Sequence, residues 1–124
     1  MQGSDPEAKS IVIDSHMDTV MQGGVYDGML GVTGAKYSTP CDPRLIKLID
    51  DVCTEKGISH IIMPSGAGHD ANAMAHEGVP IVMIFVPSAK GISHQGDEYT
   101  KPEHIDLRED VLYQTVLKLD ENGF

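Results

Sequence analysis

Short apolar runs rich in β-branched residues alternate with segments of helical period, and this alternation constrains the fold more than any other feature of the chain. The runs occupy residues 10–14, 58–63 and 79–86. Such runs are typical of buried strands, and their alternation with helices is typical of strands joined by crossover helices. The sequence therefore predicts an α/β fold, a compact three-layer α/β/α-type domain with a mostly parallel sheet.

Three helices are predicted between and after these runs. Asp42 and Pro43 form a typical helix start, and Gly57 supplies a stop after about Lys56. A short helix is expected around residues 71–76, and a last helix begins between Lys101 and Leu107 and ends near Leu119. Its predicted buried face comprises Leu107, Val111, Leu112, Val116 and Leu119, and that of the first helix comprises Leu45, Ile46, Ile49, Val52 and Cys53.

Length and charge limit what the chain can do. The 124 residues allow one domain, so we expect a flexible N-terminus over residues 1–9 and a single domain over residues 10–124. The formal charge of −10 argues against nucleic acid and anionic membranes as partners. Cys41 and Cys53 are too few for a disulfide framework, and the first residues do not resemble a signal peptide. We therefore expect a cytoplasmic protein with reduced thiols.

Histidines follow three of the predicted strands. They are His16, His69 and His94, and each lies in a loop at a carboxyl strand end, where open α/β sheets bind ligands. A lone loop histidine is more often a hydrogen-bonded surface or capping residue than a ligand. Asp18, however, can accept a hydrogen bond from His16 and so leave the other ring nitrogen for a metal. Asp27 lies in a glycine-flanked turn, where it either bridges cations or forms an Asx-turn.

Several ordered motifs resemble one family. Residues 15–20 (SHMDTV), 23–28 (GGVYDG) and 31–32 (GV) resemble the first metal-binding stretch of the co-catalytic zinc amidohydrolases. Residues 63–71 (MPSGAGHDA) and 84–94 (IFVPSAKGISH) resemble the N-carbamoyl-L-amino acid hydrolases and allantoate amidohydrolases. This branch belongs to the aminoacylase and carboxypeptidase-like metallopeptidase clan. The resemblance covers nearly all of the chain from Ser10 onward.

The resemblance implies a role for each matching residue. His16 would bind one metal ion, His94 a second, and Asp27 would bridge the two; the ions would be zinc, or manganese, cobalt or nickel. Asp18 would act in catalysis by orienting His16. His69, with Gly66 and Gly68 in the same turn, would bind the substrate, and His69 would stabilise the oxyanion as a metal-activated water attacks an amide or ureido carbonyl.

The chain departs from the family pattern after residues 31–32. In the family, a helix and a strand ending in paired glutamates follow, one a general base and the other a metal ligand. Here residues 33–37 (TGAKY) follow directly and resemble the family's C-terminal third, so the predicted domain is a truncated catalytic-type domain. A general base contributes roughly a hundred- to ten-thousand-fold in rate, so hydrolysis is predicted to be weak or lost. The possible substitutes for this base are Asp14, Asp18, Asp70 and Asp97.

Three functional hypotheses follow. The first is a metal-dependent hydrolase acting on C–N bonds of N-carbamoyl amino acid or ureido-type amides. The second is a catalytically silent remnant or binding module that keeps at most one metal ion or a small carboxylate. The third is a structural fold with vestigial histidines. Because the shortened pattern leaves a sheet edge or an apolar face uncovered, we also expect a homo-oligomer.

Overall fold

The computed structural model describes residues 10–13, 39–65, 69–93 and 95–123. These residues form three α-helices: α1 over Pro43–Glu55, α2 over Ala71–His76 and α3 over Pro102–Asn122. A single 3₁₀ turn, Ala89–Gly91, lies between α2 and α3. No helix in the described part of the chain has both the length and the apolar character of a membrane span.

Helix α1 begins where the sequence predicts. The Asp42 carboxylate accepts a hydrogen bond of 2.8 Å from the backbone N–H of Arg44, and Pro43 occupies the first helical turn. The capping side chain satisfies one of the donors that a helix start leaves without an internal partner, and proline has no such donor. Asp42 also donates its own backbone N–H to the carbonyl of Ile81 at 2.8 Å, which ties the helix start to the 79–86 segment.

Helix α1 also ends where the sequence predicts, in a Schellman motif. Gly57 has a φ of 66°, a left-handed conformation that favours glycine. Its N–H donates to the Thr54 carbonyl at 3.0 Å, and the N–H of Ile58 donates to the Cys53 carbonyl at 2.9 Å. This reversal directs Ile58 back toward the helix, where it packs against the core.

The core lies between α1 and α3. Val52, Cys53 and Val111 are buried, and Ile49, Ile58 and Ile84 pack against them, so the end of α1, the middle of α3 and the 79–86 segment meet there. Two ion pairs flank this contact. Lys56 Nζ lies 2.7 Å from Asp110 Oδ2, and Lys118 Nζ lies 2.6 Å from Glu55 Oε2.

The predicted buried face of α3 is partly wrong. Val111 is buried, but Leu107 is 43% exposed, and the second buried residue of the helix is Thr115. The Thr115 hydroxyl donates to the Val111 carbonyl at 2.7 Å, and this bond satisfies its polar group away from water. Helical period alone does not identify a threonine that is buried in this way.

The predicted α/β fold with a mostly parallel sheet is contradicted. Helix is the regular structure of the described residues, and neither residues 58–63 nor 79–86 nor the described part of 10–14 forms a strand there. A strand requires a ladder of hydrogen bonds to a neighbouring strand. In the described residues, the backbone bonds of the 79–86 segment are instead two isolated ones, from Asp42 to Ile81 and from Val79 to Met74. Val12, Ile61 and Ile62 are 78%, 79% and 67% exposed, so apolar composition favoured strands whose partners are not found among the described residues.

Candidate functional site

Ser65 and His69 form the side-chain pair around which a site can be built. Ser65 Oγ lies 2.7 Å from His69 Nε2, within hydrogen-bonding distance. The two residues flank residues 66–68, which lie outside the described part of the chain. A hydroxyl on one ring nitrogen fixes the orientation of the imidazole, and it can either donate to that nitrogen or accept from it.

The start of helix α2 holds the backbone of His69. Its carbonyl accepts a hydrogen bond of 2.9 Å from the N–H of Asn72, and the Asp70 carbonyl accepts one of 2.9 Å from Ala73. The helix ends at a second glycine reversal, because Gly78 has a φ of 79°. The short helix predicted around residues 71–76 is therefore confirmed. The hydrogen bonds of its first turn hold the backbone of His69 and so fix the direction in which its side chain begins.

Phe85 provides a second contact for the histidine ring. The ring centroids of His69 and Phe85 lie 5.6 Å apart with an angle of 51° between the planes, a tilted arrangement typical of paired rings. Phe85 belongs to the apolar segment that leads into the loop before His94. The contact therefore joins the predicted substrate turn to the segment that precedes a predicted metal ligand.

The loop after this segment is closed by polar contacts. The Ser88 hydroxyl donates to the Ile92 carbonyl, and the Ala89 N–H donates to the Tyr99 carbonyl at 2.8 Å. Lys90 has a φ of 59°, which is unusual for a residue with a side chain. These contacts give the residues just before position 94 a defined path.

His60 and Asp50 form a second side-chain pair, and His60 lies five residues before Ser65. His60 Nε2 lies 2.7 Å from Asp50 Oδ1 on α1, and His60 Nδ1 lies 2.8 Å from the Ile58 carbonyl oxygen. The hydrogen bond to the Asp50 carboxylate, followed by the bond to the Ile58 carbonyl, raises the pKa of His60 above its ordinary value of 6.5.

Most of the predicted site residues lie outside the described part of the chain. They are the metal ligands His16, Asp27 and His94, the orienting residue Asp18, and the turn glycines Gly66 and Gly68. Their roles stay predictions. Among the residues that are described, no group of three or more histidine, cysteine or acidic side chains is arranged to hold a metal ion.

The sequence predicts a role for His69, but it did not predict the residues that contact this side chain. Ser65 stands four positions before His69 in the MPSGAGHDA motif, and a hydroxyl that close in sequence is a signal for such a contact. Phe85 gave no comparable signal, because an aromatic residue in an apolar run is ordinarily interpreted as core. His60 likewise looked like a strand residue, and its partner Asp50 lies on another element.

Comparison with known proteins identifies the family. Residues 28–118 match the sequence profile of peptidase family M20/M25/M40, which covers more than half of the chain. The chain therefore belongs to this family, and the family generally uses divalent metal ions.

The relatives confirm the predicted amidohydrolase branch. The chain is 41% identical over 78 residues to a ureidoglycolate hydrolase of Arabidopsis thaliana, an alignment that covers 63% of the chain and 16% of the relative. It is 41% identical over 61 residues to an allantoate amidohydrolase of Escherichia coli, with 49% and 15% covered. It is 36% identical over 80 residues to an N-carbamoyl-L-amino-acid amidohydrolase of Rhizobium meliloti, with 64% and 19% covered. The alignments thus span less than a fifth of each relative.

Proposed function

We propose that this chain is a metal-dependent hydrolase acting on C–N bonds of linear amides of the N-carbamoyl amino acid or ureido type. The observation that carries the proposal is the 2.7 Å contact between Ser65 Oγ and His69 Nε2, two residues of the family motif. The names of the relatives, which are hydrolases of allantoate, ureidoglycolate and N-carbamoyl amino acids, support the substrate class.

His69 binds the substrate carbonyl in this proposal. If the Ser65 hydroxyl donates to Nε2, the ring proton resides on Nδ1, which then donates to the carbonyl oxygen. The tilted contact with Phe85 restricts rotation of the ring. A donor placed where an oxyanion develops is worth roughly a hundred- to a thousand-fold in rate. Gly66 and Gly68 complete the proposed substrate turn.

Zinc is the metal that we propose, with manganese, cobalt and nickel as the other candidates. His16, Asp27 and His94 would hold it, and two imidazoles with a carboxylate form a donor set that zinc accepts. Asp18 would orient His16 through a hydrogen bond. A bound divalent ion supplies polarisation of the carbonyl and a nucleophilic water.

A binding module is the second candidate function. The sequence observation that favours it is the direct junction between residues 31–32 and 33–37, which leaves out the paired glutamates of the family pattern. Without that general base, His69 can still donate a hydrogen bond to a carbonyl or carboxylate oxygen of a ligand, but no residue is assigned to accept the proton from water. Such a chain would bind a small carboxylate or amide with slow turnover or none.

The test is a hydrolysis assay on N-carbamoyl amino acids with added zinc, manganese, cobalt or nickel, read as free amino acid released. We expect slow metal-dependent release that falls by at least about a hundredfold in the variant His69→Ala. His76→Ala is the matched control, because His76 is an exposed histidine at the other end of α2. Binding weakened by His69→Ala without turnover would establish the binding module, and neither turnover nor binding would reject both functions.

We further propose that the protein is cytoplasmic and self-associates. The exposed side chains of Ile61, Ile62 and Met63 support self-association, since contiguous exposed apolar surface marks contact sites. Neither Cys41 nor Cys53 forms a disulfide, which agrees with a reducing compartment. Sedimentation at micromolar concentration should show a dimer or larger species, and a monomer would reject the proposed oligomer.

A further inference from the structure

We propose that His60 is a positioning residue: as an imidazolium it fastens the chain that leads to Ser65 and His69 to helix α1, and this attachment weakens when the ring loses a proton. The inference deepens the proposed function, because it concerns the placement of the turn that binds the substrate. It rests on the geometry around one side chain.

Both ring nitrogens of His60 face acceptors. Nε2 lies 2.7 Å from Asp50 Oδ1, and Nδ1 lies 2.8 Å from the Ile58 carbonyl oxygen. A carboxylate and a carbonyl oxygen accept hydrogen bonds and cannot donate them, so each nitrogen must carry a proton for both bonds to form. That requirement is met only by the imidazolium. A neutral ring would direct a lone pair at one of the two oxygens and lose that bond. If the bond to Asp50 is the one that remains, it is weaker, because the donor is no longer charged.

The charged groups around His60 favour this charge state. Asp50 is the carboxylate whose hydrogen bond and charge stabilise the cation, and the His60 side chain is 27% exposed. Lys47 on the same helix and Lys56 at its C-cap are engaged elsewhere. Lys47 pairs with Asp51 at 2.7 Å, and Lys56 pairs with Asp110 on α3 at 2.7 Å. Asp50 therefore remains the partner for the histidine.

The position of His60 along the chain explains why its contact with Asp50 affects the residues that follow. Ile58 is fixed by the Schellman motif and by packing on the core. Beyond His60, the side chains of Ile61, Ile62 and Met63 are 79%, 67% and 56% exposed. Of the hydrogen bonds and ion pairs found in the described residues, that of His60 is thus the last to α1 before Ser65. Weakening this contact would leave Ile58, two residues earlier, as the nearest firm attachment to α1 found in the described part of this segment.

The sign of the pH dependence follows from the raised pKa of His60. Its stabilising contribution is fully present below the unfolded-state value of 6.5 and is lost as the pH rises through the higher folded-state value. Attachment of the turn is therefore tighter on the acid side of that value. Hydrolysis that depends on the Ser65–His69 placement should lose efficiency as His60 deprotonates.

The test is an NMR titration of the full chain from about pH 5 to about pH 9, following the His60 ring and the amides of residues 61–65. We expect His60 to titrate above 6.5 and these amides to shift with the same midpoint. Asp50→Asn should lower that midpoint, while Asp120→Asn, which neutralises an exposed carboxylate on α3, should leave it unchanged. His60→Gln should abolish the shared transition at residues 61–65 and leave the core signals of α1 and α3 in place.

The outcomes separate this inference from the proposed function. Titration of His60 at or below 6.5 in the wild-type protein, or amide shifts at residues 61–65 that do not follow it, would overturn the positioning role. Either result can be obtained whether or not the protein hydrolyses amides. If the coupled titration is found and no hydrolysis is detected, the positioning role stands and the proposed activity fails.

Discussion

The α1–α3 pair and the apolar segments that lead to His69 form two regions with opposite character. In the helix pair, both ends of α1 are closed by local hydrogen bonds, and Val52 is 1% exposed. In residues 58–63, three consecutive apolar side chains are more than half exposed. The contrast shows that hydrogen bonds between neighbouring residues define both ends of α1, whereas residues 58–63 have no neighbouring strand in the described part of the chain. The described part of the candidate site belongs to the second region.

The largest effect is expected when one valine in each region is replaced by alanine and the free energies of unfolding are compared. Val52→Ala removes two buried methyl groups and leaves a cavity between α1 and α3, so we expect the free energy of unfolding to fall by about 2–3 kcal/mol. Val79→Ala is the control, since Val79 is 41% exposed and should change stability by less than about 0.5 kcal/mol. Urea unfolding followed by far-UV circular dichroism measures both. Equal losses would contradict the division into two regions.

The next effect concerns the reversal that ends α1. Gly57→Ala places a side chain at a φ of 66°, and we expect a loss of about 1–2 kcal/mol in stability. Gly96→Ala is the comparison, because no positive φ is found there and a Cβ would meet no atom within 4 Å. Thermal unfolding of the two variants would sharpen the comparison. An unchanged Gly57→Ala variant would mean that the Schellman motif does not direct Ile58 into the core.

A smaller effect appears in acid. The Arg44 side chain, helped by the Arg44 backbone N–H, lowers the pKa of Asp42 from 3.8 to about 2. The cap therefore contributes fully above 3.8, and its contribution is lost as the pH falls toward 2. Asp42→Asn should flatten the dependence of stability on pH in this window, measured by unfolding at several pH values. A variant with the wild-type acid profile would show that the ionisation of Asp42 does not stabilise α1.

The smallest effect is expected for the ion pair between α1 and α3. Glu55 Oε2 lies 2.6 Å from Lys118 Nζ, but the two side chains are 61% and 29% exposed, so solvent screens much of their attraction. A double-mutant cycle with Glu55→Gln and Lys118→Met should give a coupling below about 1 kcal/mol that decreases with added salt. A larger, salt-independent coupling would mean that this ion pair, rather than apolar packing, holds the two helices together.

The same contrast explains what the sequence could predict. Asp42, Pro43 and Gly57 act within a few residues of the helix that they bound, so α1 was predicted almost to the residue. The third helix was predicted to end near Leu119 and ends at Asn122, because it has no comparably sharp stop before Gly123. The sheet was predicted from apolar composition, which does not reveal whether a partner strand is present.

The candidate site was predictable only in part for a related reason. His69 stands inside a motif of nine residues, so its neighbourhood could be interpreted from the sequence. Phe85 and the pair of Asp50 with His60 are contacts between elements separated in the chain, and no local pattern specifies them. The resemblance predicted the family, which the comparisons confirm. The packing around His69 depends on contacts between residues that are distant in the sequence.

The burial of Cys53 in the α1–α3 core has a practical consequence. Desolvation, together with the charge of Asp50, raises the pKa of this thiol above its ordinary range, and so suppresses the thiolate that alkylating reagents attack. Cys41, which is only partly covered, should react first. The rate at which Cys53 is labelled would then report how often the two helices separate.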